Sequence, residues 1–553
     1  MTNFFEHHRA RLDAACEALI ARGYWTPFSE IPSGKIYGET AKVDGEAAFE
    51  ALKGQPFCLP GHPESGRAGA EVSPFGPLLG ISYPVTEVDV LIAAANAAAK
   101  PLAAASPETR VGVCLEILSR LNAMSFLIGH ATMHTTGQGF AMAFQAGGPH
   151  AQDRALEAVA LAWQEMTRFA GKAIWEKPQG KSRPVTLEKH WTLVPAGIAL
   201  TIGCNTFPTW NGYPGLFASL ATGNPVIVKP HPAAVLPLAL TVRVSREVLQ
   251  EAGIPADAVL LAVDESGAEI TKALATDPAV RIIDYTGSSA FAGWLRDNAR
   301  QAQLFTEESG INTVTIAATD DFAGMCANLA MSLSLYSGQM CTAPQNIYVP
   351  RDGIDTNEGH KTFDQVAQGL GEAIDALLAD EARAASVLGA LANPATLKRI
   401  KAQRGIGRIV RESSAVGQGR TASPLLLAVE AGEPALHAEC FGPIAFVVAT
   451  DDAEAGIRQA ADLAARLGAI TAALYDTDET RIELAIAAFA RAGVNLSINL
   501  TGNIFVNQSA AFSDFHVTGA NPAGNASLTD TAFIATRFRR AMWRRPTAMA
   551  EAV

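Results

Sequence analysis

Short apolar runs alternate with helical patterns through the middle of the chain. Four of these runs have the length and composition of buried strands, and they lie at 199–203, 225–229, 258–263 and 280–285. Apolar residues at helical spacing fill the intervals, near 212–222, 236–252, 266–276 and 289–301. Strands and helices that alternate in this way predict parallel βαβ units and a doubly wound sheet, which binds ligands at the carboxyl ends of its strands.

The flanking regions have different patterns. Roughly the first 80 residues mix a helix with loop sequence rich in glycine and proline, and three helical patterns follow at about 87–100, 108–129 and 152–171. Two β-rich stretches flank a turn within 174–198, which predicts an extended two-stranded arm. A further α/β region from about 310 to 510 predicts a second domain. We therefore expect an α/β protein of two or three domains.

Composition and charge narrow the class of protein. The 553 residues carry a net charge of −12, which argues against nucleic acid as the main partner. Charged residues interrupt the N-terminal helical pattern, unlike a signal peptide, and no apolar stretch reaches the roughly 18 to 20 residues that cross a bilayer. The seven cysteines are scattered and never spaced as CxxC, which indicates reduced thiols and neither disulfides nor a zinc site. These features predict a cytoplasmic protein without membrane association or a metal site.

One cysteine stands in a sequence that suits a nucleophile. Cys341 follows a glycine-bearing turn in Ser-Gly-Gln-Met-Cys-Thr-Ala-Pro-Gln at 337–345. A thiolate is a strong nucleophile toward carbonyl carbon, and a tight turn can lift its sulfur clear of the core. Thr-Glu-Glu-Ser-Gly at 306–310 supplies a candidate general base, Glu307. Its neighbour Glu308 points to the opposite face of an extended segment.

Five sequence blocks, in their order along the chain, resemble the aldehyde dehydrogenase superfamily. Besides the blocks around Glu307 and Cys341, they are Gly-Cys-Asn-Thr-Phe-Pro at 203–208, Ala-Thr-Gly-Asn-Pro-Val-Ile-Val-Lys-Pro at 221–230 and Glu-Cys-Phe-Gly-Pro at 439–443. The resemblance covers about residues 85 to 525. It implies three parts: a Rossmann-type cofactor domain with an N-terminal extension (1–173 and 199–307), an α/β catalytic domain (308–525), and a β-arm with a C-terminal tail for oligomerisation (174–198 and 526–553).

The resemblance assigns catalytic roles. Cys341 attacks the aldehyde and forms a thiohemiacetal and then a thioester, and Glu307 activates the water that releases the acid. Asn205 supplies an amide donor for the oxyanion. Its block departs from the family's common Pro-Trp-Asn-Phe-Pro form, so Asn211 is an alternative for this role. Glu308 stands where the family has an apolar residue, which favours Glu307 as the base.

The resemblance also predicts residues that bind a nicotinamide cofactor. Gly287 and Ser288 head a helix whose free N–H groups can take a phosphate. Glu439 and Phe441 resemble the pair that holds the nicotinamide ribose and ring. Lys229 is placed to reach the adenosine ribose or its phosphate.

The residue after the lysine block bears on the choice between the two nicotinamide cofactors. Pro232 stands where NAD-preferring relatives often have a glutamate. Without that carboxylate, Lys229 is free to pair with a 2′-phosphate. NADP is therefore the predicted cofactor, with NAD as the alternative.

The substrate prediction comes from two unusual blocks. The sequences at 203–208 and 307–312 differ from those of the common metabolic enzymes and resemble the aldehyde dehydrogenases of bacterial phenylacetate degradation. This resemblance implies a ring-opened, CoA-linked semialdehyde as the substrate. The family's closing Pro-Phe-Gly-Gly is absent, and Phe-Ser-Asp-Phe-His-Val-Thr-Gly at 512–519 takes its place at the end that faces the substrate.

Two other activities stay open. In a CoA-acylating dehydrogenase free CoA takes the acyl group and no base is needed, so the presence of Glu307 argues against it. A non-redox cysteine thioesterase or hydrolase would also use Cys341. The sequence shows no histidine in a recognisable Cys/His motif to support that reading.

The predicted arm and tail bear on assembly. Family members exchange strands between subunits at these places, which implies a homodimer or a homotetramer. We expect the arginines of the tail to be solvated or to contact a second subunit, with the binding of CoA phosphates as the alternative. This cluster comprises Arg537, Arg539, Arg540, Arg544 and Arg545.

Overall fold

Helices dominate the first 170 residues in the computed structural model, which describes residues 3–265, 267–308 and 310–547. The helices are α1 (Phe4–Ala21), α2 (Gly34–Tyr37), α3 (Ala41–Leu52), α4 (Val88–Ala104), α5 (Pro107–Ala123), α6 (Ser125–Thr136), α7 (Phe140–Gly147) and α8 (Pro149–Thr167). Two short antiparallel strands, β1 (Gly66–Ala68) and β2 (Tyr83–Val85), lie between α3 and α4. Helix α5 begins where its sequence predicts, because the Ser106 side chain accepts a hydrogen bond from the Thr109 N–H and Pro107 occupies the first turn.

The predicted arm is a β-hairpin. Strands β3 (Lys172–Gln179) and β4 (Ser182–Pro195) pair antiparallel. Gly180 stands in the two-residue turn with φ of 59°, a left-handed conformation that glycine adopts without strain. Most of β3 is exposed.

The middle of the chain forms the predicted doubly wound sheet. Its elements are β5 (Ile198–Ile202), α9 (Pro208–Ala221), β6 (Val226–Lys229), α10 (Leu236–Glu251), β7 (Val259–Leu261), α11 (Ile270–Thr276), β8 (Val280–Thr286), α12 (Ser289–Asn298) and β9 (Gln303–Glu307). All five strands are parallel, in the order β7-β6-β5-β8-β9. The four predicted strands and four predicted helices are present within a few residues of their expected bounds. The strand order reverses between β5 and β8, which is where such sheets open a crevice for a ligand.

The second α/β region is built on a sheet of seven strands in the order β15-β16-β17-β12-β10-β18-β19. Only the edge pair β15–β16 of this sheet is antiparallel. The elements are β10 (Asn312–Ile316), β11 (Ala318–Thr319), α13 (Phe322–Ser334), β12 (Pro344–Pro350), β13 (Ile354–Thr356), β14 (Gly359–Lys361), α14 (Phe363–Leu378), α15 (Glu381–Leu388), α16 (Ala395–Gln403), β15 (Arg408–Arg411), β16 (Leu425–Glu430), β17 (Ile444–Thr450), α17 (Ala453–Leu467), β18 (Thr471–Tyr475), α18 (Glu479–Ala492) and β19 (Asn495–Ile498). Strands β11, β13 and β14 form a separate small sheet. The larger sheets follow the predicted domain ranges closely, and the domain division itself stays a prediction.

The C-terminal segment returns to the arm. After α19 (Thr531–Ala535), strand β20 (Phe538–Pro546) pairs antiparallel with β4 and completes a three-stranded sheet, β20-β4-β3. The pairing runs from Phe538 opposite Pro195 to Pro546 opposite Leu187. The arm therefore has three strands, where the sequence predicted two.

One arginine of the tail is not solvated, and for this residue the sequence-based expectation is wrong. Arg537 is fully buried, and its Nη2 lies 2.6 Å from Oδ1 of Asp284 on β8. A second nitrogen, Nη1, donates to the hydroxyl of Ser219 at 2.7 Å. Because a buried guanidinium needs such partners, this contact ties the tail to the doubly wound sheet. Arg539, Arg544 and Arg545 are exposed.

Among the described residues, no single helix has both the length and the apolar composition to cross a membrane. The helices α4 and α5 together pass that test by length and composition, but they are bent by 117° at the break between them.

Candidate active site

The predicted nucleophile follows a backbone turn of unusual conformation. Tyr336, Ser337 and Gly338 have φ values of 52°, 50° and 61°, all in the left-handed region. Such a conformation is unfavourable for the two residues that carry side chains, so the surrounding structure has to hold it. The Tyr336 hydroxyl donates to the Thr136 carbonyl at 2.5 Å, and the Ser337 hydroxyl lies 2.9 Å from the Ala422 carbonyl.

Gly338 is required at the third position of this turn. A Cβ atom there would lie 2.6 Å from the carbonyl oxygen of Gly442. The turn therefore packs directly against the block at 439–443, which the sequence assigned to the cofactor. Cys341 follows three residues later and is partly accessible.

Cys341 opens into a cavity of about 470 Å³. This volume lies in the range of small-molecule sites. The walls come from the segment 24–30, helices α7, α8 and α9, the turn before β12, and residues 507–516. Trp210, Asn211 and His516 line the cavity together with Cys341.

A histidine stands between the predicted nucleophile and the predicted base. The Nε2 atom of His516 lies 3.5 Å from Cys341 Sγ and 3.2 Å from Glu307 Oε1. Both His516 and Glu307 are buried. Trp210 packs edge-on against the imidazole, with ring centroids 4.4 Å apart. The sequence shows no recognisable Cys/His motif because the two residues lie 175 positions apart along the chain, and only the fold brings them together.

Glu307 is held on both carboxylate oxygens. Asn211 Nδ2 donates to Oε2 at 3.1 Å, and His516 approaches Oε1. Burial raises the pKa of Glu307, but the nearby imidazole and the hydrogen bonds from His516, Cys341 and Asn211 outweigh burial and lower the pKa below its usual range. The carboxylate is accordingly ionised at neutral pH.

The thiol of Cys341 has the opposite perturbation. Burial is the largest cause, the charge of Glu307 is the second, and together they raise the pKa of Cys341 well above its usual value. The sulfur needs an adjacent proton acceptor before it can act as a nucleophile at neutral pH.

Glu308 belongs to a different environment from Glu307, as the alternation of side chains along an extended segment predicts. Its Oε1 lies 2.5 Å from Arg296 Nη1 on α12, and it also accepts a hydrogen bond from the Thr306 hydroxyl at 2.9 Å. These contacts hold Glu308 away from Cys341.

The two asparagines that compete for the oxyanion role occupy different places. Asn211 lines the cavity with Cys341, whereas Asn205 lies in the bend after β5 and is not among the residues that line this cavity. The Oδ1 atom of Asn205 is buried and accepts no hydrogen bond from the described residues. The sulfur of Cys204 lies 3.5 Å from Asn211 Oδ1. The role of Asn205 stays a prediction, and the geometry favours Asn211.

The predicted phosphate site lies at the carboxyl end of β8. Gly287 follows this strand, and the Ser288 side chain caps α12 by accepting from the Phe291 N–H at 3.4 Å. A Cβ on Gly287 would lie 2.4 Å from the Tyr285 hydroxyl, so the close turn requires glycine. The Gly287 N–H already donates to the carbonyl of Glu307 at 3.1 Å, so it is not available to a phosphate. The candidate phosphate donors are therefore the N–H groups in the first turn of α12.

The lysine of the predicted ribose site has an acidic partner, and the expectation that it is free is wrong. Lys229 Nζ lies 2.6 Å from Asp264 Oδ1, and both side chains are buried. Lys229 also donates to the carbonyl of Pro230 at 2.9 Å. Burial lowers the pKa of Lys229, although Asp264 acts in the opposite direction. Asp264 follows β7, the neighbour of β6 in the sheet, which brings the carboxyl ends of these strands together.

The nicotinamide side of the predicted site lies next to the catalytic turn. Glu439 and Phe441 line a small crevice together with Met340 and Gly338. Both are half-buried, as side chains at a ligand site would be. Pro232 lies in the turn after β6, three residues beyond Lys229.

The segment 24–30 closes the cavity on the side of α8, a feature that the sequence did not suggest. The Thr26 hydroxyl lies 2.7 Å from Oδ2 of Asp153 and 2.9 Å from the Phe28 carbonyl. Burial raises the pKa of Asp153 well above its usual range. A protonated Asp153 fits this arrangement, because it can donate to Thr26, which then donates onward to Phe28. Glu30 at the cavity wall pairs with His150 at 2.7 Å.

Three side chains at the centre of the site have ligand atoms within 4.8 Å of one another, a spacing that could also hold a metal ion. They are Glu307, Cys341 and His516. Because these three side chains contact one another, the cluster is explained without a metal ion, as a nucleophile together with groups that transfer protons.

The structure thus places a parallel sheet with a crevice at its switch point beside a partly accessible cysteine, a buried histidine and a buried carboxylate, an arrangement typical of an enzyme that uses a nucleotide cofactor. The profile of the aldehyde dehydrogenase family matches residues 82–523. The chain belongs to the aldehyde dehydrogenase family, whose members are oxidoreductases.

Individual relatives agree with this family. The crystal structure of an NAD-dependent aldehyde dehydrogenase from Burkholderia multivorans is 51% identical, covers 99% of this chain and 100% of its own, and superposes with a TM-score of 0.97. A 1-pyrroline-5-carboxylate dehydrogenase from Geobacillus kaustophilus is 27% identical over 56% of this chain and 60% of its own length. A lactaldehyde dehydrogenase from Escherichia coli is 29% identical over 44% of this chain and 50% of its own length. The matches with these two curated relatives thus span only 50 to 60% of their length.

Proposed function

We propose that the protein oxidises an aldehyde to a carboxylic acid with a nicotinamide cofactor, through covalent intermediates on Cys341. The observation that carries the proposal is the position of Cys341. It opens into a small-molecule cavity, and the turn before it packs on the block that holds Glu439 and Phe441. A nucleophile at this junction can meet an aldehyde from one side and a cofactor from the other.

Each step of the proposed reaction is assigned to particular residues of the chain. Cys341 attacks the aldehyde carbon, and the amide of Asn211 or Asn205 donates to the oxygen as it becomes negative. The first turn of α12 and Glu439 would hold a nicotinamide cofactor, which would supply the hydride acceptor. Glu307 then orients and deprotonates the water that hydrolyses the thioester on Cys341.

We propose NAD as the cofactor. The argument for NADP required a free Lys229, but Lys229 forms an ion pair with the Asp264 carboxylate. Oδ1 of Asp264 is buried and, apart from this ion pair, accepts no hydrogen bond from the described residues. The charge of this carboxylate opposes a 2′-phosphate beside Lys229. The similar enzyme from Burkholderia multivorans is itself described as NAD-dependent.

For the substrate, the proposal rests on the resemblance to the phenylacetate-degradation enzymes. A ring-opened, CoA-linked semialdehyde would place its aldehyde end in the cavity of about 470 Å³ and leave the CoA outside. The relatives with named substrates act on pyrroline-5-carboxylate and lactaldehyde, so small free aldehydes are the competing class. Rates with a CoA-linked semialdehyde and with its free acid analogue decide between these classes.

Two further observations support proposals for assembly and location. The three-stranded arm exposes apolar side chains, including Ile174 and Trp543, which favours a homodimer or a homotetramer. All seven cysteines are free, which favours the reducing environment of the cytoplasm.

The central test uses two substitutions. Cys341→Ala should abolish the reduction of NAD by aldehydes and still bind the cofactor, and near-normal turnover in this variant would refute the covalent route. Glu307→Gln should give one burst of reduced cofactor per site and then turn over slowly, because only deacylation needs the base. Glu308→Gln is the matched control, since its carboxylate pairs with Arg296.

The same variants separate the alternatives. If free CoA accelerates turnover and Glu307→Gln retains full activity, the enzyme is CoA-acylating. Cleavage of thioesters without any cofactor, and no reduction of NAD with any aldehyde, would identify a cysteine hydrolase.

A further inference from the structure

We propose that His516 is a further catalytic residue, which accepts the thiol proton of Cys341 at Nε2 while the sulfur attacks the aldehyde carbon. The inference rests on the proposed role of Cys341 as the nucleophile. His516 touches the reacting atom itself, with Nε2 at 3.5 Å from Sγ, a normal separation for a hydrogen bond that involves sulfur.

The imidazole is held in place by the protein around it. His516 is 5% exposed, and Trp210 packs edge-on against the imidazole at a centroid distance of 4.4 Å. The Asn495 side chain donates to the backbone carbonyls of Phe515 and His516, at 2.6 and 3.4 Å. A general base has to be positioned in this way before its contribution is large.

Glu307 favours the state after proton transfer. Both Cys341 Sγ and Glu307 Oε1 face the same nitrogen, and Nε2 has only one position for a hydrogen. When Nε2 is unprotonated, its lone pair faces an anionic oxygen at 3.2 Å with no proton between them. Once the thiol proton has moved to Nε2, an N–H lies between the thiolate and the carboxylate, and both anions are stabilised.

A carboxylate alone is the weaker acceptor for this proton. Burial and the charge of Glu307 raise the pKa of the Cys341 thiol well above its usual value, so the thiol does not ionise unaided. An imidazole is ordinarily the more basic group.

Within the part of the chain that the structure describes, few other charges act on this pair. Trp210 separates the imidazole from the guanidinium of Arg154, which lies 5.2 Å from the indole ring and is paired with acidic groups. The ionisable groups around His516 and Cys341 are Glu307, Cys204, Glu439 and, behind Trp210, Arg154 with Glu157 and Asp514.

The step is balanced in atoms and electrons. The S–H bond breaks, its proton goes to Nε2, and the sulfur electron pair forms the bond to the aldehyde carbon while the carbonyl π electrons move to oxygen. The carbon then loses hydride to the nicotinamide of the proposed function, and the carbonyl re-forms as a thioester. The proton on His516 is available to the sulfur when water cleaves the thioester.

The test follows the alkylation of Cys341 by iodoacetamide, which needs neither aldehyde nor cofactor. The rate is measured from acidic to alkaline pH, with the labelled residue identified by mass spectrometry. In the wild type we expect the rate to rise at a lower pH than for an unassisted thiol, whose range is about pH 8.5. In His516→Gln we expect the rate at neutral pH to fall at least about tenfold, with the rise displaced to the range of a thiol. The pre-steady-state burst of reduced cofactor should slow by about 100-fold in the same variant.

Two matched variants make the result specific. His360→Gln changes a histidine on β14 that pairs with Asp355 and is not among the residues that line the cavity, so it should leave the alkylation profile as in the wild type. In Glu307→Gln the alkylation rate of Cys341 should still rise with pH, but the rise should occur at a different pH from that in the wild type. If the profile of His516→Gln equals that of the wild type, or if Glu307→Gln alone removes the rise, the proposal is wrong.

Folding of the variants is checked by circular dichroism, with His516→Asn as a second substitution. If neither variant folds, the wild-type profile decides. A rise well below the range of an unassisted thiol, about pH 8.5, supports the proposal, and a rate that climbs only at or above that range overturns it. Because these rates do not depend on turnover, a failure here leaves the proposed dehydrogenase activity untouched.

Discussion

Neutralising Asp264 should change the cofactor preference. Asp264→Asn removes the carboxylate whose Oδ1 lies 2.6 Å from Lys229 Nζ. A 2′-phosphate that shared this ammonium would place its oxygen about 5 Å from the carboxylate, given hydrogen bonds of ordinary length on both sides. Two unit charges at about 5 Å repel by about 3 kcal/mol at an effective dielectric constant of about 20. Since about 1.4 kcal/mol corresponds to a factor of ten, we expect the ratio of kcat/KM for NADP over NAD to rise about 100-fold.

The assay compares initial rates with both cofactors at saturating aldehyde for the wild type and the variant. Asp257→Asn is a suitable control, because this carboxylate lies before β7, at the opposite end of the strand from Asp264, and pairs with Arg246. The reasoning is refuted if the wild type already uses NADP as well as NAD. It is also refuted if the ratio changes equally in both variants.

Three further predictions concern catalysis, stability and pH. Asn211→Ala should lower kcat/KM by about 100-fold and Asn205→Ala by much less, measured with one aldehyde, and the reverse order would restore Asn205 as the oxyanion donor. Arg537→Ala should lower the free energy of unfolding by about 3–5 kcal/mol in denaturant titrations, because it leaves a buried carboxylate unpaired, whereas the exposed Arg544→Ala should have little effect. Burial raises the pKa of Asp153, so its ionisation destabilises the fold above that pKa. Asp153→Asn should therefore match or exceed the wild-type Tm at neutral pH. This difference in Tm should shrink as the pH falls through the folded-state pKa of Asp153. A difference that grows as the pH falls would contradict the prediction.

Local pattern was enough to predict the doubly wound sheet. Each strand from β5 to β8 is a short apolar run bounded by turn residues. The spacing of its apolar residues and its length identify such a strand without knowledge of its contacts in the fold. The nucleophile was also predictable, because Cys341 is marked by residues directly beside it. The seven-stranded order of the second sheet was not, since neighbours such as β10 and β18 are separated by more than 150 residues.

The site residues that the sequence missed are those defined by distant partners. His516 is a single histidine in a loop, and the only signal was that the block at 512–519 departs from the family pattern. Asp264 has no motif of its own, and it meets Lys229 only because β6 and β7 are adjacent in the sheet. Arg537 looked like one of several surface charges, and only the packing of the tail against β8 distinguishes it.

The late position of β20 in the chain has a consequence for biosynthesis. Its partner β4 leaves the ribosome more than 340 residues earlier, and at about 5–20 residues per second the wait lasts roughly 20 to 70 seconds. During that interval one edge of β4 lacks its partner, and Asp284 lacks the guanidinium that it faces in the finished fold. An open strand edge is a site of wrong pairing between chains. The open edge of β4 therefore needs protection from other chains until β20 is made.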